Sequence, residues 1–255
     1  KMDKNLFVCL ILCLMSSFSL SAQQKTVLFD LSHGQCQDTY PGHEYYTDIV
    51  PLYKTMIEGL GAKFVVNDSA EITPAMLKKA DVLIMLSPLN KDLQKNITEQ
   101  EKKALVNYVR HGRSLLFFVD EEARRVKLQE YGANDITRPF GIEFGQDVEG
   151  LPGNCGAVTF KNEIFSGRLE IPFSGARLIK GGIPASVCME QGYLHASYVK
   201  LKNGGKLFAA SDTMVGQLMG YTDGTRNKAN GMQTRWWGKD SRQFMSELIV
   251  WGLKK

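Results

Sequence analysis

Asp30, Ser32, His33 and Gln35 stand within six residues, with Gly34 between the imidazole and the carboxamide. A carboxylate, a hydroxyl, an imidazole and an amide spaced so closely can orient and exchange protons around one ligand. An imidazole titrates near neutral pH, so His33 can serve as a general base or touch a ligand directly, with Asp30 orienting it. The alternative is a histidine that bonds loop backbone and holds a turn, with Asp30 capping that loop. Three further polar residues, Ser87, Glu121 and Asp212, each follow a short apolar run in the same way. Glu121 can act as an acid or base. Glu122, beside it, suits the start of a helix, where negative charge meets the dipole.

Trp236 and Trp237 sit in a long polar stretch with Tyr221 and Arg235. Aromatics held there can stack on a sugar face or a partner, or pack the loop down. His43 and Glu44 lie ten residues past His33, a gap that matches no common metal-ligand spacing, so no metal is expected. No glycine-rich phosphate loop follows any apolar run, because Ser32-His33-Gly34-Gln35 lacks the further glycines of a dinucleotide site. No cofactor is expected.

The elements that must position these groups follow from periodicity. Val27, Leu28 and Phe29 form a short apolar run that suits a strand buried on both faces. Ile49, Leu52, Tyr53, Met56, Ile57 and Leu60 recur at helical steps, and Gly61 is placed to end that helix. Residues 62–66 predict a second strand, and Thr73-Pro74 a capped short helix through Ala80. Residues 81–86 predict a third strand. Thr98 and Glu101 form a capping box opening a helix that stops near His111-Gly112. Residues 114–119 predict a fourth strand.

Such alternation means βαβ units and a parallel sheet, whose strand-end loops gather on one edge. Asp30, His33, Gln35, Ser87, Glu121 and Asp212 should therefore wall one cleft. Residues 139–205 change character: they are richer in Gly and Pro, and short apolar pieces at 157–160, 176–179, 186–189 and 198–201 predict antiparallel or edge strands beside the main sheet. Residues 206–210 resume the buried-strand pattern, and a closing helix from Ser241 places Phe244, Leu248 and Trp251 on one face.

Four stretches carry a family likeness: Val27-Leu-Phe-Asp-Leu-Ser-His-Gly34, Ala80-Asp-Val-Leu-Ile84, the capped helix ending Tyr108-Val-Arg-His-Gly112, and Ser114-Leu-Leu-Phe-Phe-Val119. Together they resemble the class I glutamine amidotransferase-like superfamily, and within it the group related to the domain shared by gliding-motility and intraflagellar-transport proteins. The ThuA-like proteins, associated with sugar metabolism, are a more distant likeness. The resemblance covers about residues 25–125 and extends loosely to 206–210 and the last helix. It implies an α/β fold, flavodoxin-like or amidotransferase-like, with a mostly parallel sheet, helices on both faces and short antiparallel strands in the second half. The amidotransferases carry a nucleophilic cysteine on a strand-to-helix elbow. The counterpart here runs into Asp120-Glu121-Glu122-Ala123, without cysteine or serine, so thiolate chemistry is not expected.

The amino terminus has its own logic. Asp3 and Lys4 precede an apolar run at 6–15, and small residues lead to Ala22. That is the pattern of a cleaved secretory signal, too short to span a bilayer comfortably. Residues 23–255 then form one α/β domain with a β-rich insertion at about 139–205, periplasmic or secreted and not membrane-spanning once mature. Cleavage after Ala22 leaves 29 basic against 26 acidic side chains, a charge of +3 with no basic block, which argues against nucleic acid as a partner. Cys36, Cys155 and Cys188 remain, enough for one disulfide or three free thiols.

Three functions fit these observations. The first is an exported accessory or binding protein for a carbohydrate-type ligand or a partner protein. The second is a sugar-active hydrolase or lyase using His33 and the strand-end carboxylates. The third is a structural subunit of an envelope assembly. The mature chain should begin at or near Gln23. Amino-terminal sequencing of the native protein checks this, and an intact Met2 in a membrane fraction would overturn it.

Overall fold

Thr26–Asp30 form β1, flanked by β2 (Lys63–Asn67) and β3 (Val82–Leu86), each paired to it in parallel. These coordinates come from a computed structural model that describes residues 24–35, 49–123, 125–149, 156–173, 176–189, 192–217, 219 and 240–254. The expected signal segment, Cys36, His43, Glu44, Cys155, Tyr221, Arg235, Trp236 and Trp237 lie outside the described residues.

The remaining elements are α1 (Ile49–Gly59), α2 (Pro74–Leu77), α3 (Glu99–Arg110), β4 (Ser114–Phe118), α4 (Leu128–Tyr131) and α5 (Ala133–Thr137). Then come β5 (Ile142–Asp147), β6 (Gly156–Thr159), β7 (Glu170–Pro172), β8 (Arg177–Gly181), β9 (Ile183–Cys188) and β10 (Leu194–Lys200). β11 (Lys206–Ala210), α6 (Met214–Gln217) and α7 (Ser241–Leu253) complete the series. The helix starts follow their caps. Thr73 accepts from the Met76 amide, and Thr98 and Glu101 exchange both bonds of a capping box.

Nine strands form one sheet in the order β2-β1-β3-β4-β11-β10-β9-β6-β7, and β5 pairs with β8 in a separate ribbon. The first five strands are parallel and the pairings beyond β11 are antiparallel. The fold is α/β and flavodoxin-like. Alternation along β1 sends Val27 and Phe29 to one face, against α1 and α7, and Leu28 to the other, against α3.

Three features differ from the sequence reading. Most of the short second-half strands were expected beside the main sheet; β10, β9, β6 and β7 instead extend it, and only β5 and β8 stand apart. β10 covers the edge that β11 would leave open, and β9, β6 and β7 add to it in turn. α4 and α5 were not anticipated, because runs of four and five residues are too short to show a helical period. β5 and β7 were missed as well. Among the described residues no helix is long and apolar enough to cross a membrane.

The β5–β8 ribbon anchors the loop after β4. Asp147, at the end of β5, accepts from the amides of Glu122 at 2.7 Å and Ala123 at 2.8 Å. Arg177, at the start of β8, is 1% exposed, and its guanidinium spans the rest of the loop. Its Nε donates to the Asp120 carbonyl at 2.6 Å, Nη1 to Gly145 at 3.2 Å and Nη2 to Val126 at 3.1 Å. Burial pulls its pKa below the usual arginine value, opposed by Asp147, Glu122 and Asp120. One rigid fork serves three carbonyls, a geometry an ammonium cannot reproduce. Arg177→Lys should therefore cost about 2–3 kcal/mol by leaving buried acceptors unpaired. Urea denaturation of the two proteins checks this, and a cost below experimental error would show that the loop holds itself.

Candidate functional site

In an open parallel sheet the chain departs from the first strand in both directions, and ligands bind where that happens, outside the carboxyl ends. Here the departure lies between β1 and β3. Two buried polar clusters occupy this edge.

The first follows β1 and centres on Asp30, which is fully buried. Its Oδ1 accepts from the Ser32 hydroxyl at 2.7 Å, the Ser32 amide at 3.3 Å and Asn67 Nδ2 at 2.9 Å. Its Oδ2 meets His33 Nδ1 at 2.7 Å and accepts from Gln35 Nε2 at 2.7 Å. Gln35 Oε1 in turn accepts from the His33 amide at 2.7 Å. On the far side of the imidazole, Nε2 lies 3.3 Å from Glu101 Oε1. Glu101 is the capping-box residue of α3 and also accepts from the Ile72 amide at 2.8 Å. The His33 ring lies edge-on to Tyr131, which stacks on Phe117.

Gly34 makes this turn sterically attainable. Its φ is +85°, and a Cβ there would fall 2.0 Å from the Leu93 carbonyl oxygen. Only glycine fits such a position without strain.

The electrostatics are those of a cation held between two anions. Burial pulls the His33 pKa down, but hydrogen bonding and charge from Asp30, with Glu101 behind, raise it above the ordinary histidine value. Burial likewise pushes Asp30 up, yet the His33, Ser32 and Gln35 bonds leave its pKa lowered. Glu101 is lowered against the same opposition from burial, through the Ile72 and Thr98 amides and His33.

The second cluster joins β3, β4 and β11. Ser87 Oγ accepts from the Asp120 amide at 2.9 Å. The Asp120 carboxylate accepts from the Glu121 amide at 2.7 Å and from the Thr213 hydroxyl at 2.7 Å. Asp212, also fully buried, accepts from the Met214 amide at 2.6 Å and so starts α6. Burial raises the Asp120 pKa, with Glu121 adding to the rise and Arg125, Thr213 and the Glu121 amide opposing it. A carboxyl biased toward its protonated form beside a second carboxylate is a usable acid.

Of the residues singled out from the sequence, Asp30, His33 and Gln35 form one cluster. Ser87, Glu121 and Asp212 border the other, and Trp236 and Trp237 lie outside the described residues. Both ring nitrogens of His33 face carboxylates, which orients the ring firmly and leaves it 3% exposed. Sequence reading missed Asn67, Asp120, Thr213 and Arg177, and took Glu101 only as a cap. Asn67 and Thr213 did carry a signal, since each stands at or just past the end of a predicted strand. Among the described residues no group of three His, Cys, Asp or Glu is arranged to hold a metal ion. Cys188 is buried and free on β9, away from the turn after β4.

The sign of the pH dependence follows from these shifts. The raised His33 pKa adds stability that is complete below the unfolded histidine value, about 6.5, and is lost as pH rises through the folded value. The lowered Asp30 and Glu101 pKa values add stability above the unfolded carboxylate range that is lost as pH falls. His33→Gln should therefore cost more stability near about pH 6 than near about pH 9. Denaturant titrations of both proteins at the two pH values check this, and an equal or reversed difference would rule out a charged His33.

No protein-family model matches the chain, and no curated protein matches it. Solved structures match it at low identity, two of which are described here. A ThuA-like protein from Bacteroides uniformis ATCC 8492 is 13% identical, with a TM-score of 0.46 over 90% of this chain and 89% of that one. The exo-beta-1,4-mannosidase Op5Man5 from Opitutaceae bacterium strain TAV5 is 11% identical, with a TM-score of 0.51 over 96% of this chain. The chain spans 39% of the mannosidase's length, so the likeness is one of fold.

Proposed function

We propose that the chain is an exported accessory protein that binds a carbohydrate-type ligand at the carboxyl edge of its parallel sheet, without amidotransferase chemistry. One observation carries the reading: β1, β3, β4 and β11 each end in a buried polar group, and these groups gather on one edge beside the β1–β3 switch point. Asp120 bonds to both Ser87 and Thr213 and so links three strand ends, more order than loop polarity alone requires. The sugar class finds support in the likeness of fold to an exo-beta-1,4-mannosidase, which acts on such a ligand. Export rests on the apolar run at 6–15 and the small residues before Ala22.

A second reading, a sugar-active hydrolase, has its own support in Asp120. Glycoside hydrolysis uses a protonated carboxyl and an ionised one on either side of the scissile bond. Burial favours the protonated form of Asp120, with Glu121 next to it in the chain.

Calorimetric titration of residues 23–255 with neutral oligosaccharides, beta-1,4-mannooligosaccharides among them, separates these outcomes. Binding should be measurable, and Asp120→Asn and Asp212→Asn should each weaken it about tenfold, or roughly 1.4 kcal/mol. Release of reducing sugar by the wild type, abolished in Asp120→Asn, would select the hydrolase. Failure of every glycan to bind would remove the carbohydrate reading in favour of an envelope partner. Binding untouched by both variants would remove the edge site.

A further inference from the structure

Sheet edges expose unpaired N–H and C=O groups, and the two edges of this nine-stranded sheet are treated in opposite ways. β7 ends one edge and is blunted. It has three residues, its last is Pro172, and the Glu170 amide is taken by the Asp240 carboxylate at 2.7 Å. A short strand with a proline and a side-chain cap offers little for another chain to pair with.

β2 ends the other edge without such devices. It has five residues, Lys-Phe-Val-Val-Asn, with no proline and a single charge at its first position. Phe64, Val65 and Val66 are half-buried, whereas every residue of the interior strands β3 and β4 is buried. Leu60, three residues before β2, is among the few large apolar side chains exposed in the described residues. The edge is apolar, β-prone and paired on one side only.

The register fixes which backbone groups this edge offers. The Lys63 amide donates to the Lys25 carbonyl, and the Asn67 carbonyl accepts from the Leu31 amide, both at 2.7 Å. Backbone groups alternate in direction along a strand, so Lys63, Val65 and Asn67 bond inward to the β1 side. The N–H and C=O groups of Phe64 and Val66 therefore point outward.

Two outward residues separated by one are self-complementary under a two-fold axis. With a second β2 turned antiparallel, Phe64 of one copy faces Val66 of the other, and each such pair exchanges both of its bonds. Val65 then lies on the axis as a non-hydrogen-bonded pair, with its two Cα atoms about 4.5 Å apart. A shift to either side leaves one of the two outward residues beyond the partner strand. In the centred register Lys63 falls opposite Asn67 rather than a second Lys63, so no like charges meet across the seam.

We propose that a second copy of this chain adds its β2 antiparallel to this one, forming a two-fold dimer with Val65 at the axis. Identical edges meeting in this way give a closed assembly. The edges left outermost are the two β7 strands, already blunted, so the sheet does not propagate. The dimer stands whether or not a sugar binds at the carboxyl edge.

Sedimentation velocity on residues 23–255 should give a species of twice the chain mass at micromolar concentration. Val65→Lys and Val65→Glu each set like charges face to face on the axis, so each alone should weaken dimerisation about tenfold. Mixed in equal amounts, the two should recover a dimer containing one copy of each, a result specific to a two-fold seam at residue 65. Val66→Pro removes an outward donor and no bond to β1, so it should keep the fold, read by circular dichroism, and weaken the dimer. If the charged variants do not fold, Val66→Pro and Val65→Cys decide, the latter forming on oxidation a disulfide that joins two copies at position 65. A monomeric wild type would overturn the proposal. So would a dimer unchanged by Val65→Lys, Val65→Glu and Val66→Pro, which would place the contact on another face. Folded charged variants that recover no dimer on mixing would overturn the axis at Val65. Assemblies that keep growing with concentration would overturn closure at two copies.

Discussion

The contact on which this structure depends is the imidazole of His33 held between Asp30 and Glu101. β1 and α3 are separated in sequence by about seventy residues, and this ion triad joins them. Removing three charges from water is expensive, and their attraction repays it only when the remaining lone pairs are satisfied. That condition is met: Ser32, Gln35 and Asn67 complete Asp30, and the amides of Ile72 and Thr98 complete Glu101. The arrangement therefore fixes a geometry more than it adds stability. The turn after β1, the segment before α2 and the start of α3 can take one relative position only. Gly34 and the Leu93 carbonyl set the depth of that turn.

A division of labour follows along the sheet edge. At β1 every polar atom is spoken for, and the result is rigidity. At β4 the loop is held from outside, by Asp147 and Arg177 of the β5–β8 ribbon, so its acidic residues are placed by a distant part of the chain. At β10 and α6 the polar atoms are buried and unpaired.

The sequence made the parallel half readable because its signals are local. Continuous apolar runs such as Val82–Leu86, the capping box at Thr98 and Glu101, and the stop at Gly61 need only neighbouring residues to be recognised. The cluster after β1 was legible for the same reason: Asp30, Ser32, His33 and Gln35 are adjacent in the chain. What stayed hidden was long-range. Glu101 looks like a cap until Ile72 and His33 arrive from elsewhere. Arg177 looks like an exposed basic residue in a weak strand, and nothing nearby announces that its fork will meet three carbonyls. His195 sits in a strand whose register shifts on either side of Ala196, so alternation could not assign its face.

The pairing of β4 with β11 has a kinetic side. Ser114 and Lys206 are register partners, yet ninety-two residues separate them, and the whole antiparallel wing is threaded between. While the chain is emerging, β4 has β3 on one side and nothing on the other. Its sequence, Ser-Leu-Leu-Phe-Phe, is uncharged, rich in β-forming residues and free of proline, the composition most given to pairing with a stranger. The parallel half thus cannot close early. It must wait, with its most adhesive edge bare, for the last strand of the sheet to be made and slot between β4 and β10. Closure of so distant a loop is slow by nature.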